Sequence, residues 1–331
     1  MKEESILTNR IGGSSSTNRL VVLLNLVVTI VLGCNKPSSP AEIPPPDTGM
    51  PTEETVIPDE YEQSLVINGV ERTYILHIPP SYDASKPVPL VLVFHGITLD
   101  ANEMIRISGF NDQSDAVGFV VAYPNASGAQ RSWNGGHCCG ESAANNVDDV
   151  GFVRALIGQL TTLVNIDTKR VYATGFSNGA IMVYRLACEL SNQIAAIGPV
   201  SATQAEEDLP GCQPERSIPV IHFHGTDDDP NPYNGGETAG GAHFIPVIEA
   251  IHFWAERNGC PTQSQQTESG NIFHDFYSPC KSGATVELYT VEGGKHAWPG
   301  GEAVSLRMGE PTMEISATIL IWEFFLAHPM P

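Results

Sequence analysis

Arg170-Val171-Tyr172-Ala173-Thr174-Gly175-Phe176-Ser177-Asn178-Gly179-Ala180 is the stretch on which the reading of the fold turns. Its first five residues form a short, largely apolar run, as expected of a strand buried on both faces. A helical pattern follows over 180–190. Between the two stands G-x-S-x-G. A nucleophilic serine needs a sharp turn, and glycines on either side let neighbouring backbone approach without a Cβ clash. Ser177 would then stand exposed at the tip of the turn, over a helix N-terminus.

The rest of the chain fits the same alternation. Short apolar runs at 89–94, 118–123, 194–197 and 218–224 read as further buried strands, while 284–291 alternates more and reads as lying nearer an edge. At 64–78 two alternating runs flank Asn68-Gly69, a strong two-residue hairpin signal. Helical periodicity appears at 147–163, 247–257 and 313–326, and Asp148 and Asp149 suit the dipole at the start of the first. A hairpin followed by alternating buried strands and helices predicts an α/β fold, a mostly parallel sheet with helices on both faces. In such sheets, sites form at the carboxyl ends of the strands.

The remaining motifs fall at those ends. Phe94-His95-Gly96 closes the first central strand. The loop after it would supply one backbone N–H for a tetrahedral oxyanion, from Ile97 or Thr98, and Asn178 after the nucleophile would supply the other. Gly293-Gly294-Lys295-His296-Ala297-Trp298-Pro299-Gly300 follows the last strand, and His296 is placed to act as general base. In the order serine, acid, histidine, the acid belongs between Ser177 and His296. Ile221-His222-Phe223-His224-Gly225-Thr226-Asp227-Asp228-Asp229-Pro230 provides three carboxylates there. Two other readings remain open from these residues. His222 and His224 share one face of a strand and, with an aspartate, could hold the metal of a metal-dependent hydrolase. The chain could also be a catalytically silent binding lipoprotein that keeps the fold.

Composition narrows the partners. The 331 residues carry 17 Lys and Arg against 38 Asp and Glu, a formal net charge of -21, which opposes binding to nucleic acid. Basic Lys2, Arg10 and Arg19 precede an apolar run at 20–32 that is short for a membrane span and reads as a secretory signal over 1–33. Val31-Leu32-Gly33-Cys34 is similar to a bacterial lipobox, in which Cys34 is acylated and becomes the mature N-terminus. Residues 34–62, rich in Pro, Ser, Thr and Glu, read as an extended tether, and 63–331 as the catalytic domain. The expected location is the bacterial cell surface or periplasm as a lipoprotein, or otherwise the medium, with the membrane reached only through Cys34. Apart from Cys34 there are six cysteines, Cys138, Cys139, Cys188, Cys212, Cys260 and Cys280, an even number that suggests disulfides in an exported chain. Cys260 and Cys280 bracket one short excursion and form the expected pair. No CxxC favours zinc instead.

Taken together, these blocks resemble the secreted polyhydroxybutyrate depolymerase and feruloyl esterase family of α/β-hydrolases. The resemblance runs through Arg131-Ser132-Trp133-Asn134, Cys138-Cys139-Gly140, 147–155, 170–179, His224-Gly225-Thr226-Asp227-Asp228 and 294–300. The family's H-G-T-x-D pattern falls on 224–228 and implies Asp228 as the triad acid. Its glycine-rich histidine loop implies His296, with Lys295 standing where a third glycine is usual. The resemblance further implies ester hydrolysis by Ser177, His296 and Asp228 without metal or organic cofactor, on feruloyl or acetyl esters of plant polysaccharide or on hydroxyalkanoate esters. His95, Trp133 and Trp298 sit in motif loops and are candidates for substrate binding. A monomer is expected.

Overall fold

Asn68 and Gly69 both take positive φ, 52° and 80°, and so turn the chain tightly between β1 (Asp59–Ile67) and β2 (Val70–Ile78). The computed structural model describes residues 59–237, 241–305 and 307–331. The leader at 1–33, Cys34 and the tether as far as residue 58 lie outside the described residues. β1 pairs with β2 along its whole length, from Asp59 opposite Ile78 to Ile67 opposite Val70. The first strand therefore begins inside the segment read as tether, four positions earlier than the expected boundary at 63.

The strands that follow are β3 (Val88–Phe94), β4 (Val120–Pro124), β5 (Ile166–Phe176), β6 (Ile197–Val200), β7 (Val220–Gly225), β8 (Gly236–Glu237), β9 (His243–Phe244), β10 (Gln265–Ser269), β11 (Ile272–Tyr277) and β12 (Val286–Val291). β8 and β9 form a separate small ribbon. The others make one sheet in the order β1-β2-β4-β3-β5-β6-β7-β12-β11-β10. From β4 to β12 the neighbours run parallel, and the two outer hairpins, β1-β2 and β10-β11, pair antiparallel.

The helices are α1 (Ala101–Ser108), α2 (Phe110–Val117), α3 (Gly140–Ala144), α4 (Asp149–Leu163), α5 (Asn178–Glu189), α6 (Val247–Arg257) and α7 (Ala317–Ala327). Side chains alternate across a strand, so β3 feeds two cores. Leu90, Leu92 and Phe94 pack with residues of α4, α5 and α6, whereas Val91 and Val93 pack with α1, α2 and α7. This is the α/β architecture expected, with both faces of the parallel sheet covered.

Several elements differ from the expected positions. β6 lies at Ile197–Val200 rather than 194–197, because Gly198 and Pro199 sit inside it and break the apolar pattern. The β10-β11 hairpin has no clear apolar alternation; β10 is exposed throughout. It covers β12, which lies third from that end of the sheet, near the edge as its alternation suggests. α1 and α2 are only eight residues each and are punctuated by Gly109 and Gly118 in the left-handed conformation. α4 starts on Asp148, whose carboxylate accepts the Gly151 N–H at 2.8 Å. The cysteines pair as Cys138–Cys139, Cys188–Cys212 and Cys260–Cys280.

One buried ion pair links the edge hairpin to the loops above the sheet. Arg72 of β2 donates to Asp149 at 2.7 Å, and the other Asp149 oxygen accepts the Asn134 N–H at 2.8 Å. The guanidinium also lies 4.0 Å from the centroid of the Phe152 ring. Burial pushes the Asp149 carboxyl up, and Arg72 opposes that shift. Removing the carboxylate would strand a buried guanidinium. Asp149→Ala is expected to destabilise the fold by about 3–5 kcal/mol, measurable as a lowered urea midpoint with an unchanged slope.

Candidate active site

Ser177 occupies the turn between β5 and α5 with φ 55° and ψ -122°, a conformation strained for any residue other than glycine. The flanking glycines are required by close approach. A Cβ on Gly179 would lie 2.2 Å from the Phe94 carbonyl oxygen, and one on Gly175 would lie 2.6 Å from the Gly179 carbonyl. The Ser177 N–H is held by the Val200 carbonyl at 2.9 Å, which fixes the bend against β6. Asn178 locks the facing loop, as its side chain accepts the Trp133 N–H at 2.6 Å and donates to the Trp133 carbonyl at 3.1 Å.

The strands on either side bring the other groups level with this turn. Ile97 follows β3, Asp228 follows β7 and His296 follows β12, all at carboxyl ends of parallel strands. The His296 ring packs against the Phe176 ring at 4.7 Å between centroids. Its Nδ1 is hydrogen bonded to Asp228 Oδ2 at 2.8 Å. With Nδ1 so engaged, Nε2 is the nitrogen left for the serine hydroxyl. Asp228 Oδ1 accepts the Asn231 N–H at 2.9 Å. The Asn231 amide donates to the Ser201 carbonyl at 2.9 Å, and the Ser201 hydroxyl donates to the Ala297 carbonyl at 3.2 Å. The acid loop and the histidine loop are thereby tied together through one serine.

The aspartate triplet is divided by burial. Asp228 is 3% exposed, whereas Asp227 and Asp229 are solvent-exposed. With Lys295, His296 and Arg307 those two line a cavity of about 410 Å³. The Lys295 stem packs over Gly309, where a Cβ would come within 2.7 Å of its Cδ. A second cavity of about 720 Å³ opens beside Ser177, and Ile97 and Asn178 both line it. The Asn178 N–H is a first-turn donor of α5. The Thr98 N–H is already taken by the Gln130 and Arg131 carbonyls, at 3.1 and 3.3 Å, whereas Ile97, the other candidate donor from that loop, lines the cavity.

Three expected substrate-binding residues are instead core. His95, Trp133 and Trp298 are fully buried and lie outside the cavity lining. The His95 Nδ1–H donates to the Gly96 carbonyl at 2.7 Å, and its Nε2 accepts the Ala126 N–H at 3.0 Å. Trp133 donates to the His95 carbonyl at 3.0 Å, and Trp298 to Thr318 Oγ1 at 2.9 Å. Motif residues here support the loops rather than face the cavity. The wall is formed by Gln130, His137, Ile181, Pro230, Asn231 and Phe244, among others. These come from separate segments, so no local pattern marks them. The metal reading of His222 and His224 does not fit either, because their four ring nitrogens are all in hydrogen bonds, to Tyr184, to each other and to Asn231. Among the described residues, no three metal-ligating side chains converge.

This elbow, above a parallel sheet flanked by helices, belongs to an α/β-hydrolase fold. The Esterase PHB depolymerase family matches residues 72–209. Feruloyl esterase B of Piromyces equi is 35% identical over 241 residues, which are 70% of this chain and 44% of that protein. Putative esterase NocK of Nocardia uniformis subsp. tsuyamanensis is 30% identical over 257 residues, 72% of this chain and 74% of that protein. The chain belongs to the polyhydroxybutyrate depolymerase and feruloyl esterase-like family. The match thus spans less than half of one of these relatives and about three quarters of the other. Among solved structures, a thermostable esterase shares the fold with a TM-score of 0.54 at 17% identity, covering 82% of this chain and 63% of that one. Acetyl xylan esterase from Aspergillus awamori does so with 0.51 at 14% identity, covering 72% and 94%.

Two outcomes follow from this geometry. Gly179→Ala is expected to cost at least about 2 kcal/mol, since backbone rather than a movable side chain blocks the new methyl, and thermal melting will read the loss. Burial lowers the His95 pKa to about 4 in the folded chain, against 6.5 ordinarily. The stability it contributes is therefore complete above about pH 6.5 and lost as pH falls through about 4. Between those limits, urea unfolding should show an acid slope that becomes shallower in His95→Asn, whose side chain does not titrate.

Proposed function

We propose that the chain is an exported serine carboxylesterase in which Ser177, His296 and Asp228 form the triad. The observation that carries this reading is the buried Asp228–His296 hydrogen bond beside a serine held in a strained, glycine-flanked elbow. His296 Nε2 takes the Ser177 hydroxyl proton as Oγ attacks the ester carbonyl. Asp228 holds the Nδ1–H tautomer and offsets the imidazolium charge. The tetrahedral oxyanion is stabilised by the N–H groups of Asn178 and Ile97. Its collapse expels the alcohol, which receives the proton from His296, and leaves an acyl group on Ser177. Water, deprotonated by His296, then releases the acid and restores the hydroxyl.

The substrate class we infer is a feruloyl or acetyl ester of plant polysaccharide, or a hydroxyalkanoate ester. A cavity of about 720 Å³ has room for an aromatic acyl group, and Ile97, Ile181 and Phe244 offer it apolar contact. The names of the relatives, feruloyl esterase and acetylxylan esterase among them, support the same class. Three cysteine pairs support an oxidising compartment. Attachment through an acylated Cys34 belongs to the same proposal.

The test is hydrolysis of p-nitrophenyl acetate and methyl ferulate with and without a chelator. Ser177→Ala is expected to lower kcat about a thousandfold or more, with no effect of chelator on the unmodified enzyme. Asp228→Asn should lose turnover by a similar order, because it favours the wrong His296 tautomer. Asp227→Asn and Asp229→Asn should lose little. Equal losses at the three aspartates, or chelator-sensitive turnover that survives Ser177→Ala, would refute the assignment. An absence of turnover across a broad ester panel would favour a silent binding protein.

A further inference from the structure

Below the proposed triad lies a row of buried polar groups that the reaction does not use. His222 and His224, both on β7, are completely enclosed. Tyr184 of α5 is hydrogen bonded through its hydroxyl to His222 Nδ1 at 2.9 Å. His222 Nε2 lies 3.0 Å from His224 Nδ1, and His224 Nε2 lies 2.8 Å from the Asn231 carbonyl oxygen. The rings are stacked in the same order, Tyr184 on His222 at 6.0 Å and His222 on His224 at 5.3 Å.

The direction of every proton in this row follows from its last member. A carbonyl only accepts, so His224 must carry hydrogen on Nε2. Burial, reinforced for His222 by its neighbour His224, lowers both imidazole pKa values and keeps the rings neutral. A neutral His224 with hydrogen on Nε2 has a bare Nδ1, which accepts from His222 Nε2–H. The His222 Nδ1 is then bare in turn and accepts the Tyr184 hydroxyl proton. No other arrangement satisfies all three contacts.

The row ends on the turn that shapes the acid. The Asn231 carbonyl takes the His224 proton while the Asn231 N–H binds Asp228 Oδ1. His224 Nε2 is also 3.6 Å from Asp228 Oδ2, the oxygen that faces His296 Nδ1. The charged or titratable groups that face His224 are Asp228, His296, His222 and the ring of Tyr233, and of these only Asp228 is an acid. Its neutral N–H therefore faces the carboxylate without competing with the imidazole for its charge. Buried polar groups cost free energy unless fully satisfied, and apolar side chains would fill this space without that demand. The geometry points to His224 as a positioning residue: its Nε2–H, oriented by His222 and Tyr184, pins the Asp228–Asn231 turn so that Asp228 Oδ2 meets His296. The row also ties the turn to α5, the helix that begins immediately after Ser177. This inference rests on the triad proposed above.

The experiment combines kinetics with nitrogen NMR of the histidine-labelled enzyme. In the unmodified protein, both rings should be the neutral Nε2–H tautomer at about pH 7. His224→Gln, which keeps a donor near the Nε2 position, should retain kcat within about threefold, whereas His224→Leu should lose about tenfold or more with KM little changed. Because the effect passes through Asp228, His224→Leu should add nothing to the loss in Asp228→Asn. An Nδ1–H or cationic His224 would overturn the inference, and so would full kcat in a folded His224→Leu enzyme or equal damage from Gln and Leu. Should the Leu variant not fold, the Gln variant and the tautomer measurement still decide. If Asp228→Asn itself keeps normal turnover, the triad fails, whereas a silent His224→Leu beside an inactive Asp228→Asn sinks the positioning role alone.

Discussion

The approach of the Gly179 backbone to the end of β3 is the contact on which the site depends. The Phe94 carbonyl occupies the space that any side chain at 179 would need. That contact lets α5 begin directly against the sheet, holds Ser177 in a backbone conformation it would not otherwise keep, and brings Ile97 and Asn178 to one cavity. The strain at Ser177 is offset elsewhere, by the bond of its N–H to Val200 and by the two-way bond between Asn178 and Trp133. A loosening of any of these would let the elbow relax and move the hydroxyl.

Around the elbow, loops are held by buried polar pairs. Asp149 and Arg72 fix Asn134 and so the loop that packs Trp133. Ser201 joins the acid loop to the histidine loop, and Asn231 binds Asp228 on one side and His224 on the other. Loop backbone above a sheet has no ladder to satisfy its donors and acceptors, so side chains from other segments must do it. Two residues that stand out in the sequence, His95 and Trp133, serve this purpose, and Trp298 ties its loop to the Thr318 side chain; all three lie outside the lining of the cavity beside Ser177.

Much of the architecture was legible because the parallel strands are buried on both faces and so read as short apolar runs. β3, β4, β5 and β7 follow from that signal, β12 from its alternation, and the helices α4, α5, α6 and α7 from helical periodicity. The signal fails where burial is one-sided or where special residues interrupt it. β10 is fully exposed, β6 contains Gly198 and Pro199, and α1 and α2 are too short to show a period. The cysteine pairing was legible only in part, since proximity in space decides it, and Cys188 meets Cys212 through the loop that follows β6.

By itself the sequence determined the alternation of strand and helix, the position of a serine at a strand-to-helix turn, and the order in which an acid and a histidine follow it. These are local properties, set by periodicity, by glycine at close approaches and by residue type. Tertiary structure decided which of three adjacent aspartates is enclosed, since Asp228 is held within its own segment by Asn231 and His224 and meets His296, which arrives from 68 residues away in the chain. It also decided that the paired histidines hydrogen bond to each other, and which residues wall the cavity. Those outcomes depend on distances between segments far apart in sequence, and only the packing of the sheet and its helices sets such distances.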